Sequence, residues 1–196
     1  MIDSQLINDS RFEIETGEIS LFDSLKYILG GDATFTLLSV ISGTRFTYRC
    51  SQSVEYVDNK PVKKDMFFLN VLTGPNNQTD FKYACVIDKT NNPNFYTLRF
   101  TKKSNMTAEA PSMVAINAVL NILQSSVQHI NSFRKKLKIY HDGTCSNCGR
   151  KLTDPISVAV GRGPICAAAE HKAYALGCKK RGIIIDKKGK KLIYPN

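Results

Sequence analysis

The chain has 196 residues, 42% of them hydrophobic, enough to bury a core and to exclude a disordered tail. Lysine and arginine number 27 against 17 aspartate and glutamate, a formal net charge of +10 that excludes an acidic surface and keeps polyanion binding open. No run approaches the roughly 18 to 20 apolar residues of a membrane span. The opening MIDSQLINDSRFEIETGEIS also lacks the basic-then-apolar layout of a signal peptide, so a cytoplasmic protein without a membrane partner is expected.

The first segment places Ile19, Leu21, Phe22, Leu25, Ile28 and Leu29 at helical spacing, with Gly30-Gly31 as the stop. The period then changes. Ala33 to Val40, Arg45 to Cys50, Asp65 to Thr73, Phe81 to Ile87 and Asn94 to Thr101 are short and rich in β-branched and aromatic residues, each bounded by turn residues. Connections this short carry no crossover helices, so five antiparallel strands are predicted. Cys50 and Cys85 fall inside two of them as small buried hydrophobes. Pro111 opens an apolar segment, PSMVAINAVLNILQSSVQHI, read as one amphipathic helix that covers the sheet. The predicted fold is α+β: a five-stranded antiparallel sheet under one or two helices, followed by a small C-terminal zinc-ribbon or treble-clef-like module.

Charge and cysteine both draw a boundary near residue 132. Residues 1–131 hold 12 basic and 13 acidic side chains, whereas residues 132–196 hold 15 basic and 4 acidic. Cys145, Cys148, Cys166 and Cys178 all lie in that basic third, so residues 1–131 read as an α+β domain and 132–196 as a basic zinc-binding module. Cys145-Ser-Asn-Cys148-Gly149 has the form of a metal knuckle, in which a tight turn directs two sulfurs at one ion. Cys166 follows Gly163-Pro164 at a predicted helix start, where the dipole favours a thiolate. Nothing points to secretion and hence to a disulfide, and no βαβ pattern supports a redox pair. The cofactor expected is structural Zn2+. Spacing leaves the fourth ligand open between Cys178, His141 and, less favourably, His171.

The run from Tyr140 to Ala167, YHDGTCSNCGRKLTDPISVAVGRGPICA, resembles a module of uncharacterised bacteriophage and plasmid proteins. Its pattern is His-x3-Cys-x2-Cys-Gly-Arg-x-Leu-Thr-x-Pro-x-Ser, then Gly-x-Gly-Pro-x-Cys. Upstream, FTLLSVISGTRFTYRC, FFLNVLTGPNN and FTKKSNMTAEAPS look like the long form of the same family, extending the resemblance to about residues 30–168. The resemblance implies a phage- or mobile-element-encoded zinc-binding accessory protein in the host cytoplasm, and it favours His141 over Cys178.

Arg134, Lys135, Lys136 and Lys138 precede the cysteines, Arg150 and Lys151 leave the knuckle, Arg162 precedes Gly163, and Lys179, Lys180 and Arg181 follow the second helix. The end reads as a hairpin pairing Ile183–Ile185 with Leu192–Tyr194. A compact zinc module studded with such cations is expected to bind DNA or RNA through phosphate contacts. The alternative is an anti-defence or takeover protein that binds and inhibits a host protein or complex; a homodimer is compatible with either. No catalytic constellation, phosphate loop or small-molecule substrate site is evident, and Asp142, Asp154 and His141 are too sparse to nominate a catalytic metal. The chain is therefore not expected to be an enzyme.

Overall fold

A computed structural model of the chain describes residues 17–153, 155–169, 184–185 and 192–193. The elements run β1 (Glu18–Ile19), α1 (Leu21–Ile28), β2 (Asp32–Ser39), β3 (Arg45–Val57), β4 (Lys60–Leu72), β5 (Phe81–Asp88) and β6 (Thr97–Arg99). They continue with α2 (Pro111–Leu123), α3 (Val127–Phe133), β7 (Leu137–His141) and α4 (Pro155–Val160). Helical turns α5 cover 164–169, and β8 (Ile184–Ile185) pairs with β9 (Leu192–Ile193) as the C-terminal hairpin pattern predicts.

The architecture is α+β, but the sheet has seven antiparallel strands rather than five, in the order β1-β7-β2-β3-β4-β5-β6. Five follow the predicted segments. The two additions are β1, which pairs Ile19 with Ile139, and β7, which pairs Phe35 with His141 and Leu37 with Ile139 on its other side. Ile19 therefore enters the sheet and helix α1 starts two residues later. Strand β7 lies beyond the charge break near residue 132, so the sheet takes in five residues of the basic segment. The predicted strand at Asn94–Thr101 shortens to Thr97–Arg99, and β3 and β4 lengthen into a ribbon closed at Asp58-Asn59, both at positive φ, as a two-residue hairpin turn requires.

The segment read as one long helix breaks in two. The Gln124 amide bonds the backbone N–H and carbonyl of Tyr96 at 2.7 and 3.0 Å, and Ser126 then caps α3 by accepting the His129 N–H. Alternate residues of β2, β3 and β4 face α1 and α2: Ala33, Phe35 and Leu37 on β2, Tyr48 and Cys50 on β3, and Phe67, Leu69 and Val71 on β4 are all buried. They meet Met113, Ile116 and Leu120 of α2 and Tyr27 and Ile28 of α1 in one core. Each such large side chain contributes about 1.5–3 kcal/mol by burial. Tyr48 adds a hydroxyl bond to the Ser112 carbonyl at 2.6 Å that fastens the sheet to α2. Burial pushes the Cys50 and Cys85 thiols well above their ordinary values, Cys85 to about 12, consistent with inert core packing. No described helix is long and apolar enough to cross a membrane.

Candidate metal centre

The knuckle is built by backbone bonds that its sequence makes available. Thr144 bridges Lys151, the Cys145 N–H donates to the Arg150 carbonyl at 2.8 Å, and the Gly149 N–H returns to the Cys145 carbonyl at 2.8 Å. Gly149 sits at φ +68, and a Cβ there would lie 2.5 Å from Asp32 Oδ2, so both conformation and space require glycine. The loop rests on the corner between α1 and β2: the Asp32 N–H donates to the Ser146 carbonyl at 2.6 Å, and Lys63 of the ribbon donates to Asn147 Oδ1 at 2.8 Å. Arg162 closes it from the other side, donating to Ser146 Oγ at 3.1 Å and to the Lys26 carbonyl at 2.8 Å.

Helix α5 brings the third sulfur. The thiol atoms of Cys145, Cys148 and Cys166 all lie within 4.8 Å of one another, and Cys148 and Cys166 are 3.6 Å apart, sulfur to sulfur. Four sulfurs at the usual Zn–S distance of about 2.3 Å define a tetrahedron with edges of about 3.8 Å. The observed separation fits that edge and is far too long for a disulfide of about 2.05 Å. Burial raises the Cys145 thiol, but backbone N–H groups of Gly163, Asn147 and Cys148 outweigh it and bring the pKa down to about 7. At Cys148 the Arg150 N–H favours the thiolate, yet burial and the neighbouring sulfurs together leave the group above its ordinary value. Three sulfurs with one already near its thiolate form are therefore positioned to hold a metal ion, with Cys145 buried and Cys148 exposed.

His141, the fourth ligand that the resemblance favours, lies outside this cluster. Alternation along β7 points it to the core side with Leu137 and Ile139, where it is buried against Tyr27, ring centroids 5.7 Å apart. Its Nδ1 accepts the Gly143 N–H at 2.9 Å, which occupies that lone pair. Nε2 is buried without a hydrogen-bond partner of ordinary geometry, and burial holds the ring below the usual imidazole pKa against the Val158 carbonyl and Asp142. Cys178 and His171 lie outside the described residues, as do Lys179, Lys180, Arg181 and Asp154.

Among the described residues the basic side chains do not gather in one place. Arg150 and Lys151 line a 450 Å³ cavity with the three cysteines, Leu152 and Ile165. Arg134, Lys135 and Lys136 are exposed at the opposite end of β7, five strand residues or about 17 Å away. Lys138 pairs with Glu18 at 2.6 Å and Arg162 is engaged by the knuckle, so these two act structurally. Lys63 and the Gly30-Gly31 corner were not nominated as site residues by the sequence; the fold alone brings Lys63 to Asn147, 84 positions away, and Gly30 against Ser146.

The fold and site thus define an α+β protein in which three cysteines positioned to hold a metal ion sit on a knuckle packed against an antiparallel sheet. A model described as a family of unknown function (DUF6011) matches residues 137–171, a segment that holds β7, the knuckle and Cys166 and stops short of Cys178. No curated protein and no solved structure matches the chain.

Proposed function

We propose that the chain is a non-enzymatic nucleic-acid-binding protein in which a structural zinc ion stiffens a basic contact surface. The observation that carries this reading is the placement of Arg150 and Lys151 on the lip of the cavity that holds the three thiols, so the ion would fix the loop from which both cations project. The concentration of 15 basic against 4 acidic residues after position 131 supports it. Four protein ligands close a zinc ion to catalysis, and Cys178 is the fourth in this reading. An origin in a bacteriophage or mobile element, and residence in the host cytoplasm, belong to the same proposal and rest on the resemblance of Tyr140–Ala167.

Affinity for DNA or RNA should fall linearly with log salt concentration. Each phosphate interaction removed by Arg150→Ala or Lys151→Ala should reduce the slope by about 0.7 for a single strand or 0.9 for a duplex. A salt slope unchanged in the double variant would refute the surface assignment.

A second reading, inhibition of a host protein, is favoured by one different observation. An open apolar groove of 670 Å³ runs between the β2–β3 turn and α2, lined by Leu37, Ile41, Val114, Ala118, Ile122 and Phe133. Such a surface suits a protein partner, including a second copy of the chain, better than a polyanion. A stoichiometric partner captured from nuclease-treated host lysate and absent with Val114→Glu would support it.

A further inference from the structure

The helices α1 and α2 cover one face of the sheet, and the side chains of the opposite face remain partly exposed along its middle strands. At the centre of that face lies a 300 Å³ cavity lined by Thr34, Thr36, Thr47, Arg49, Asn77 and Phe81, with Asp142 at its rim. Arg49 stands over the Phe81 ring, its guanidinium carbon 4.3 Å from the centroid, and its Nη2 lies 3.4 Å from the Asn77 carbonyl. Two other cations of this face are paired, Lys138 with Glu18 and Arg99 with Asp88. Among the described residues no carboxylate pairs with Arg49: Asp142, the nearest acid on the rim, directs its carboxylate to the Thr144 N–H and hydroxyl at 3.0 and 2.6 Å.

Further aromatic rings continue the surface. Tyr83 follows Phe81 two residues along β5, hence on the same face and about 7 Å away. Phe68 of β4 meets Tyr83 edge-on at 6.3 Å. Tyr140 of β7 lies opposite Thr36, and the Thr36 and Thr47 hydroxyls bond each other at 2.8 Å between these rings.

We propose that this helix-free face binds single-stranded nucleic acid, with bases stacked on Phe81 and Tyr83 and a backbone phosphate held by Arg49. A planar guanidinium without an acid partner complements a phosphate bidentately, and half-buried rings that reach the surface accept any unpaired base. A duplex, whose bases are already stacked, offers these rings nothing. The inference rests on the nucleic-acid reading given above, but it assigns the bases to the sheet rather than to the knuckle, and it predicts a strand preference that the basic lip alone does not.

The test is fluorescence anisotropy of the full chain with a labelled oligo-dT of roughly 12 nucleotides, within the usual site size, and with a duplex of equal length. Wild type should prefer the single strand. Phe81→Leu, which keeps an apolar side chain, and Arg49→Ala should each weaken oligo-dT binding by about tenfold, within the range for loss of one stacked base, while duplex binding stays unchanged. Ultraviolet cross-linking to oligo-dT should place the adduct on the peptide carrying Phe81 and Tyr83, a readout that a merely structural role for these rings would not give. Oligo-dT binding within twofold of wild type in both variants, together with weakened binding in Arg150→Ala/Lys151→Ala, would overturn this inference and leave the basic lip standing. A preference for duplex, or an adduct confined to residues 144–166, would overturn it as well. If wild type bound neither probe at low salt, the nucleic-acid reading itself would fall.

Discussion

Replacing Gly30 with alanine tests whether the metal knuckle is part of the sheet or merely tethered to it. A Cβ at position 30 would lie 2.5 Å from Ser146 Oγ and 2.7 Å from the Ser146 carbonyl oxygen. The hydroxyl can rotate away. The carbonyl cannot, because it accepts the Asp32 N–H at 2.6 Å. Restoring an ordinary 3.4 Å contact requires the knuckle to recede by about 0.7 Å, which stretches that hydrogen bond toward its limit. Overpacking of this kind costs about 1–3 kcal/mol, and the weakened bond adds up to about 1 kcal/mol. Against this, alanine stiffens the unfolded chain by roughly 0.4–1 kcal/mol, since Gly30 has no positive φ to strain. The net loss of roughly 1–3 kcal/mol lowers the melting temperature by roughly 3–10 °C for a chain of this size. Whatever part of the strain reaches the cysteines lowers zinc affinity tenfold per about 1.4 kcal/mol, measured by competition with a chromophoric chelator. Ser146→Gly in the same background removes the hydroxyl and the Cβ but not the carbonyl, so it should recover only part of the loss. A melting temperature and zinc affinity both equal to wild type in Gly30→Ala would refute the docked knuckle.

Metal analysis of protein purified without chelator should find about one zinc per chain, falling near zero in Cys148→Ser and unchanged in His141→Ala; loss of metal in the histidine variant would restore His141 to the ligand set. A pH titration of stability reads the Asp88–Arg99 pair. Burial of Asp88 opposes ionisation, but bonds from Arg99 at 2.5 and 2.9 Å and from Thr90 at 3.1 Å win and hold its pKa below the ordinary 3.8. A depressed carboxylate contributes stability that is complete above the unfolded value and is lost as pH falls through the lower folded value. Arg99→Met should therefore cost about 1–3 kcal/mol at neutral pH and flatten the loss of stability below pH 3.8. An acid limb identical to wild type in urea titrations would show that the pair carries no such linkage.

The middle of the sheet was legible because β2 to β5 carry runs rich in β-branched and aromatic residues bounded by clear turn residues. Strands β1 and β7 were not. The first is only two residues long and exists because β7 is beside it, a tertiary cause that no local pattern carries. The second alternates well, Leu137-Lys-Ile-Tyr-His141, but five residues directly after a run of cations carry too short a period to stand out from a basic loop. The same strand explains the fourth ligand. Three cysteines could be read from spacing because a knuckle and a helix start are local devices. His141 lies four residues before Cys145 in sequence, yet strand alternation commits its ring to the core. Sequence proximity is no guide to direction where a strand ends.

Strand β7 also changes what the metal can do. The cysteine segment enters directly from an interior strand, Ser146 holds Asp32 at the start of β2, Asn147 holds Lys63 of the β3–β4 ribbon, and Arg162 reaches back to the last turn of α1. An ion at the three sulfurs therefore fixes the meeting point of α1, β2, β4 and β7, not a separate appendage. The open cavity at the far side of the same strands, with Arg49 opposite Thr34 on β2 and next to Asn70 on β4, shares that framework. An ion at the sulfurs would therefore act on the helix-free face through β2, because the knuckle holds the Asp32 end of the strand that carries Thr34 and Thr36. A ligand on the face that prefers the ordered strand must, by reciprocity, raise the affinity for zinc by the same factor by which zinc raises its own.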